Sequence, residues 1–408
     1  MGASRLIALV CGFPGQRMMD AHFIGGDMRL LRHGLQWLLL MAVGGAAMAQ
    51  EEGRAGGAQA RYEVVKLLPG TIATYPRINA SGQVAVSMVI DGRVRGFFYD
   101  GAALRRLGAT VYAHGLNDAG QVAGTALNQA GVERAFVWSA RTGMRNPTAG
   151  AGPGASYGMA INGRGVVTGA YQGGARPFRW SAAGGLQDLG STPDPAGGRV
   201  LNDGGVIAGV STIDDETTRV FAWTRERGLV DIDTLGSVES NPVAVGAGGE
   251  VAGNRLASWD DGGDRPFLWT QAGGMRDLGI GRGSTAWVNA MTPALHIAGA
   301  IGYPDGRQRA MSWTRRGGMR ELGTLGGRTS VARAVNARGQ VVGFAEDGAG
   351  AMRAFVWREG GGMRDLNRLL RRAPAGLVLE QALAINDSGV IVASTNTGLV
   401  LLRPEGGR

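Results

Sequence analysis

The chain has 408 residues and a formal net charge of +9, with 42 basic and 33 acidic side chains, 72 glycines and a single cysteine. Length alone would accommodate two or three ordinary domains, but one repeat runs along almost the whole chain, and repeats share a continuous core, so a single repeat domain is expected. Cys11 lies in a segment expected to be removed, which excludes a cysteine nucleophile and a thiolate metal centre, and the arginines are spread evenly rather than in dense patches, which argues against a nucleic-acid partner.

The first 49 residues stand apart from the repeat. Met28-Arg29-Leu30-Leu31-Arg32-His33 is a basic start, Leu35 to Gly45 an apolar core, and Ala47-Met48-Ala49 a small-x-small cleavage site before Gln50, the order of a secretory signal peptide. The apolar run is shorter than the roughly 20 residues that span a bilayer, so cleavage near Ala49 is expected rather than anchoring. Residues 1–27 read as an over-long start, with Met28 the first functional residue. Removing residues 1–49 takes away Arg5, Arg17, Arg29 and Arg32 together with Asp20 and Asp27, which leaves a mature net charge of +7. No apolar anchor follows Arg403, so a secreted, extracellular or periplasmic monomer without a membrane anchor is expected.

Residues 50–61 form a Gly- and Ala-rich charged leader expected to be disordered. Tyr62 to Leu68 (YEVVKLL) is the first strand, closed by Pro69-Gly70, and contains Lys66, the sole lysine. The repeat then begins with an Asn-x-x-Gly turn followed by an apolar strand, at Asn79, Asn117, Asn162, Asn202, Asn336 and Asn386. Decayed copies are read at Gly246 to Gly249 and at Asn289 to Thr292. Asn accepts a bond from its own backbone and Gly supplies positive φ, so these positions read as turns and not as sites.

A second signature, Arg-x-Phe-x-Trp, stands at Arg134 to Trp138, Arg176 to Trp180, Arg265 to Trp269 and Arg353 to Trp357, with variants at Arg95, Arg219 and Arg309. A third, Gly-Met-Arg-Asp-Leu, stands at Gly274 to Leu278 and Gly362 to Leu366, with looser copies elsewhere. Strands of the first and second kinds number eight each, if Gly398 to Leu402 is the last, whereas the third kind numbers seven. The missing strand is present at the other end of the chain as Tyr62 to Leu68. An all-β propeller of about eight four-stranded blades is therefore expected over residues 62–403, its ring closed by the N-terminal strand 62–68, with 404–408 a tail. Seven blades result if the fifth or the first repeat is not a full blade.

The order Asn-x-x-Gly-Gln-Val-x-Gly, x-Ala-Phe-x-Trp, Gly-Met-x-Asp-Leu-Gly resembles the HAF-repeat family of predicted extracellular bacterial proteins, over nearly all of residues 62 to 402. At the position of the family's His, this chain has Arg in seven repeats: Arg95, Arg134, Arg176, Arg219, Arg265, Arg309 and Arg353. The resemblance implies a secreted repeat protein and supplies no catalytic residue.

The mature chain contains two histidines, His114 and His296, in different repeats and read as packing residues. It has no HExxH, GxSxG, P-loop or calcium-loop motif. Two acidic loops, Asp214-Asp215-Glu216 and Asp260-Asp261-Gly262-Gly263-Asp264, occupy equivalent places between the first and second signature strands. On one rim they would converge with Asp305, Glu346 and Asp347. Asp260, Asp261 and Asp264 offer oxygens for a hard cation such as calcium, the one cofactor considered. Trp259 and Trp287 are the mature tryptophans outside the repeat position, hence candidates for a sugar-stacking or partner surface.

Seven like charges at one depth of a ring require counter-charges or an anion. Asp188, Asp231 or Asp233, Asp277, Glu321 and Asp365 follow the repeat arginines at the same period and are expected to pair with them. The first two repeats lack such a carboxylate, which marks Arg95 and Arg134 as ligand-binding candidates. A secreted, non-enzymatic binding or structural module for an extracellular glycan, envelope polymer or protein is the leading functional reading. The alternative is a carbohydrate-active hydrolase or lyase that uses rim carboxylates.

Overall fold

The computed structural model describes residues 61–405 except 191–195, 214–216, 259–262 and 281–282. The signal-peptide segment and most of the leader therefore lie outside the described residues. Strand β1 (Tyr62–Leu68) precedes seven four-strand units and a last unit of three strands. Blade one is β2 (Thr71–Ile78), β3 (Val84–Ile90), β4 (Arg93–Tyr99) and β5 (Leu104–Ala109); blade two is β6 (Val111–Leu116), β7 (Val122–Leu127), β8 (Glu133–Ser139) and β9 (Gly143–Arg145). Blade three is β10 (Tyr157–Ile161), β11 (Val167–Tyr171), β12 (Arg176–Ser181) and β13 (Gly185–Asp188); blade four is β14 (Ala196–Leu201), β15 (Ile207–Thr212), β16 (Thr218–Thr224) and β17 (Gly228–Asp231). Blade five is β18 (Glu239–Val245), β19 (Val251–Leu256), β20 (Asp264–Thr270) and β21 (Gly274–Asp277); blade six is β22 (Thr285–Met291), β23 (Ile297–Gly302), β24 (Gln308–Thr314) and β25 (Gly318–Glu321). Blade seven is β26 (Gly326–Val335), β27 (Val341–Asp347), β28 (Met352–Arg358) and β29 (Gly362–Asp365), and a 3-10 turn at Leu366–Leu369 leads to blade eight, β30 (Leu379–Ile385), β31 (Ile391–Thr395) and β32 (Gly398–Pro404).

The eighth blade takes its fourth strand from the start of the chain, because β1 pairs antiparallel with β32 from Tyr62 opposite Pro404 to Leu68 opposite Leu399. Blades four and five appear in one eight-stranded sheet, joined by a single parallel pair, Thr218 with Glu239, and each keeps its own four strands. The first strands touch in succession, from β2 through β6, β10, β14, β18, β22 and β26 to β30, and β30 touches β2. Eight blades is thus the count. Apolar clusters bridge neighbouring sheets: Phe98 of blade one packs with Val111, Val122 and Phe136 of blade two, and Leu383, Val392 and Leu401 of blade eight pack with Val84, Val86 and Phe97 of blade one. The Phe of the second signature is the deepest element, with Phe136, Phe178, Phe221, Phe267 and Phe355 fully buried.

The Asn turn does more than reverse the chain. Asn79 Oδ1 accepts from Gln83 N at 2.9 Å, and its Nδ2 donates to Gln83 Oε1 at 2.7 Å and to Asn117 O of the next blade at 3.1 Å. The same inter-blade bond runs from Asn117 to Asn162 O, Asn162 to Asn202 O, Asn202 to Gly246 O, Asn336 to Asn386 O, and Asn386 to Asn79 O. A buried amide needs partners for both its ends, and these side chains find one within the turn and one in the neighbouring blade.

The sixth turn differs from its expected place. Thr292 N donates to His296 O at 2.9 Å and Leu295 N to Thr292 O at 3.0 Å, so the turn is Thr292–Leu295 rather than Asn289–Thr292. Leu295 stands where other repeats have Gly and adopts φ 64°, a left-handed backbone that costs a side-chain-bearing residue about 1–2 kcal/mol.

Each first strand carries a bulge three residues before its turn. The register skips His114, Met159, Arg199, Val243, Asn289, Arg333 and Leu383, and in blade one it skips Tyr75 and Pro76. The glycine of Gln-Val-x-Gly explains the tight contact beside the bulge: a Cβ on Gly124 would land on the carbonyl oxygen of Tyr112, and one on Gly343 on that of Val331.

Candidate functional site

The residues singled out from the sequence do not form one site. Trp259, Asp260 and Asp261 lie outside the described residues. Asp264 opens β20, where its carbonyl oxygen accepts from Thr285 Oγ1 at 3.0 Å. Among the described residues no group of three or more His, Cys, Asp or Glu could hold a metal ion. Trp287 is 8% exposed and packs against Ala300 and Val331, because it points from β22 into the seam with blade seven; it presents no stacking face to solvent.

Arg95 lies 3.6 Å from Asp91, across the tight turn that precedes β4. Among the described residues Arg134 meets no carboxylate but donates to Pro153 O at 2.7 Å and to Gly154 O, so the connector into blade three occupies its guanidinium. Backbone carbonyls here do what carboxylates were expected to do elsewhere. The expected pairing holds for Arg176 with Asp188 and, at 3.7 Å, for Arg219 with Asp231. It fails in the later blades. Arg255 grips Asp277 in a bidentate pair at 2.7 and 2.6 Å, Tyr303 donates to Glu321, Arg309 donates to Gln308 O at 2.9 Å, and Arg353 pairs with Asp347 at 3.1 Å. Asp365 caps the 3-10 turn, and Asp233 is buried among Ser237 and Ser240. Asp277 and Asp365 sit opposite the Phe of the neighbour strand and Glu321 opposite Met311, none of them opposite the Arg, so a diagonal reach is required, and in these blades closer donors win.

The rim carboxylates are likewise engaged locally. Asp305 pairs with Arg307 at 2.6 Å, Glu346 Oε2 accepts from Arg328 N and Thr329 N, and Asp347 Oδ1 accepts from Ala349 N and Ala351 N. Backbone donors hold the carboxyls of Asp305 and Asp347 below their ordinary range, which suits neither to the role of a general acid.

The repeat symmetry breaks instead at the centre of the ring. The bulge column contains Pro76, His114, Met159, Arg199, Val243, Asn289, Arg333 and Leu383, which differ from blade to blade, whereas the next position is small or aliphatic in every blade but the first. An unpaired bulge residue on the innermost strand is re-aimed away from the ladder: Leu383 turns into the seam with blade one, Asn289 donates to Ala332 O of the next blade, and Arg333 reaches Tyr75 of blade one. Arg77 Nε donates to His114 O at 2.8 Å. The Arg333 guanidinium, from blade seven, lies 5.4 Å from the ring of Tyr75 in blade one and 5.2 Å from that of Phe344, so it reaches past blade eight.

Electrostatics mark the same place. Burial first, and then the fields of Arg77 and Arg199, push His114 down to about 4. Burial also lowers Arg77, although its side chain is exposed to water. Both observations fit groups that stand deep among protein atoms where water still reaches the guanidinium. Sequence reading took His114 only as a packing residue and passed over the arginines because they share no motif. Aligning the repeats on the Asn turn and looking three residues back finds His114, Arg199 and Arg333, with Arg77 one residue further on.

No family model matches the chain, and neither does any curated protein. Among solved structures it is similar to the β-propeller domain of the trilobed protease from Pyrococcus furiosus, with a TM-score of 0.45 and 11% identity, covering 61% of this chain and 83% of that one. It is similar also to a catalytically inactive virginiamycin B lyase from Staphylococcus aureus with quinupristin, with a TM-score of 0.46 and 11% identity over 84% of this chain and 99% of that one. TolB from Acinetobacter baumannii matches with a TM-score of 0.37 and 9% identity over 85% and 79%. No residue role is carried over from any of them.

Proposed function

We propose that this chain is an exported, non-enzymatic propeller of the HAF-repeat kind that binds an extracellular or envelope ligand, a glycan or a protein, at its central channel. The observation that carries the reading is the location of irregularity. Repeat-encoded side chains are engaged within and between blades, whereas the bulge column of the first strands varies from blade to blade and gathers cationic and aromatic groups. Recognition requires such a break in symmetry, and a scaffold alone does not. The signal-peptide order of residues 28–49 supports export, and among the described residues no helix is long and apolar enough to cross a membrane. Screening the purified chain on a glycan array and against envelope extracts tests the reading. Binding without turnover is the expected result; release of new reducing ends from a bound glycan would establish an enzyme and overturn it.

A further inference from the structure

We propose that the central channel holds a tetrahedral oxyanion, a phosphate or sulfate group carried by the ligand, between Arg77, Arg199 and Arg333 with His114 beside them. This rests on the binding reading above and names the chemistry of its ligand.

Counter-charge is the first argument. The Arg333 guanidinium makes no hydrogen bond among the described residues; it has only its two aromatic contacts, and its Nε is buried without a partner. Arg77 uses Nε on His114 O, and its two Nη groups donate to nothing among the described residues. A guanidinium does not escape burial by losing its proton, so the buried, unpartnered Nε of Arg333 remains costly until an anion meets it, while the free Nη groups of Arg77 stand ready in water.

Carboxylates that could serve are displaced from this level. On the first strands they are Glu239 and Glu380, four and three residues before the bulge, about 13 and 10 Å away along a strand. Glu239 moreover accepts from Asn241 Nδ2 at 2.9 Å. On the turn side, Asp118, Asp203 and Asp387 accept from Ala80 N, Gly163 N and Ala337 N, each tying its turn to the neighbouring blade.

Direction is the second argument. Arg77, Arg199 and Arg333 stand on the first strands of blades one, four and seven, so their donors come from three separate strands of the ring that those strands form. A planar carboxylate is saturated by one or two guanidinium forks, whereas a tetrahedral anion presents three or four oxygens to donors arriving from several directions. The neighbouring rings of Tyr75 and Phe344 provide an apolar wall for whatever carries the anion.

The test follows the His114 imidazole by NMR in the full chain during titration with inorganic phosphate and with sulfate, with the His296 signal as internal reference. Saturable movement of the His114 signal is expected, together with a rise of its pKa by about one unit as the anion offsets the arginine fields. R77Q and R333Q should each weaken the anion by about tenfold or more, with R199Q as a third variant should either of them fail to fold. A phosphorylated and a sulfated monosaccharide then distinguish the two sources of the group. No saturable shift, or equal affinity in the folded variants, would overturn the site. A glycan or protein partner whose binding survives R77Q and R333Q would overturn the site and leave the binding reading standing. A saturable anion shift with no polymer or protein partner would support the site and remove that reading.

Discussion

Replacing Asn386 by Ala removes two sets of side-chain bonds where the last blade meets the first: the Nδ2 donation shared by Asn79 O at 3.0 Å and Ala80 O at 3.3 Å, and the bond that Oδ1 accepts from Val390 N at 2.9 Å. The first is a net loss of about 1 kcal/mol, because Asn79 O still accepts from Gly82 N. The second strands a partly buried N–H and costs about 1–2 kcal/mol, for a total of about 2–3 kcal/mol. In a domain of this size that corresponds to a fall in melting temperature of about 4–6 °C, at about 2 °C per kcal/mol. Asn128 is a matched control. Its turn has the same backbone bonds, Gly131 N to Asn128 O and Asn128 N to Val132 O, and its Oδ1 accepts from Val132 N, but it is exposed and bonds to no other blade. Asn128→Ala should therefore cost about 1 kcal/mol, the ordinary value of a side-chain cap. Differential scanning calorimetry of both variants decides the matter. If Asn386→Ala loses no more stability than Asn128→Ala, the inter-blade amide bonds contribute nothing and the explanation of the Asn column is wrong.

A chain that starts at Arg61 should melt like the full chain, whereas one that starts at Thr71 loses β1. Tyr62 and Leu68 are buried and Val64, Val65 and Leu67 pack beside them, a gross contribution of about 5–10 kcal/mol, so circular dichroism should show the shorter chain unfolded or aggregated, and equal melting would refute β1 as the fourth strand of blade eight. A double-mutant cycle on Arg255 and Asp277 should give a coupling of about 1–3 kcal/mol by denaturant unfolding, larger than the cycle on Arg265 and Asp277; the reverse order would restore the pairing expected from the repeat. His114 is held at about 4 in the folded chain against an ordinary value of 6.5, so the unfolded state takes up a proton first as pH falls. This part of the stability is complete above about pH 6.5, declines toward pH 4 and is then fully lost, and urea unfolding of His114→Gln should show a flatter pH profile over that window.

How much of this was legible in the sequence depends on whether the information was local. The Asn-x-x-Gly turns, the strand lengths and the count of three strand types are properties of short segments, and they lead to eight blades and to Tyr62–Leu68 as the missing strand before any coordinate is seen. The same reasoning misplaced the sixth turn by three residues, because Asn289 was taken for the turn residue when Thr292 and Leu295 fill that geometry without the usual side chains. It also mispaired three of the five arginines for which the repeat offers a carboxylate. Repeat position put those carboxylates at a regular distance, but which acceptor a long guanidinium takes depends on local geometry: Arg309 donates to the Gln308 carbonyl, Arg353 pairs with Asp347, and Asp277 is claimed by Arg255. The channel cluster was invisible for a different reason. Arg77, His114, Arg199 and Arg333 are separated by whole repeats, and only ring formation, which sets the innermost strands around one axis, relates them, three at the bulge and Arg77 one residue beyond it.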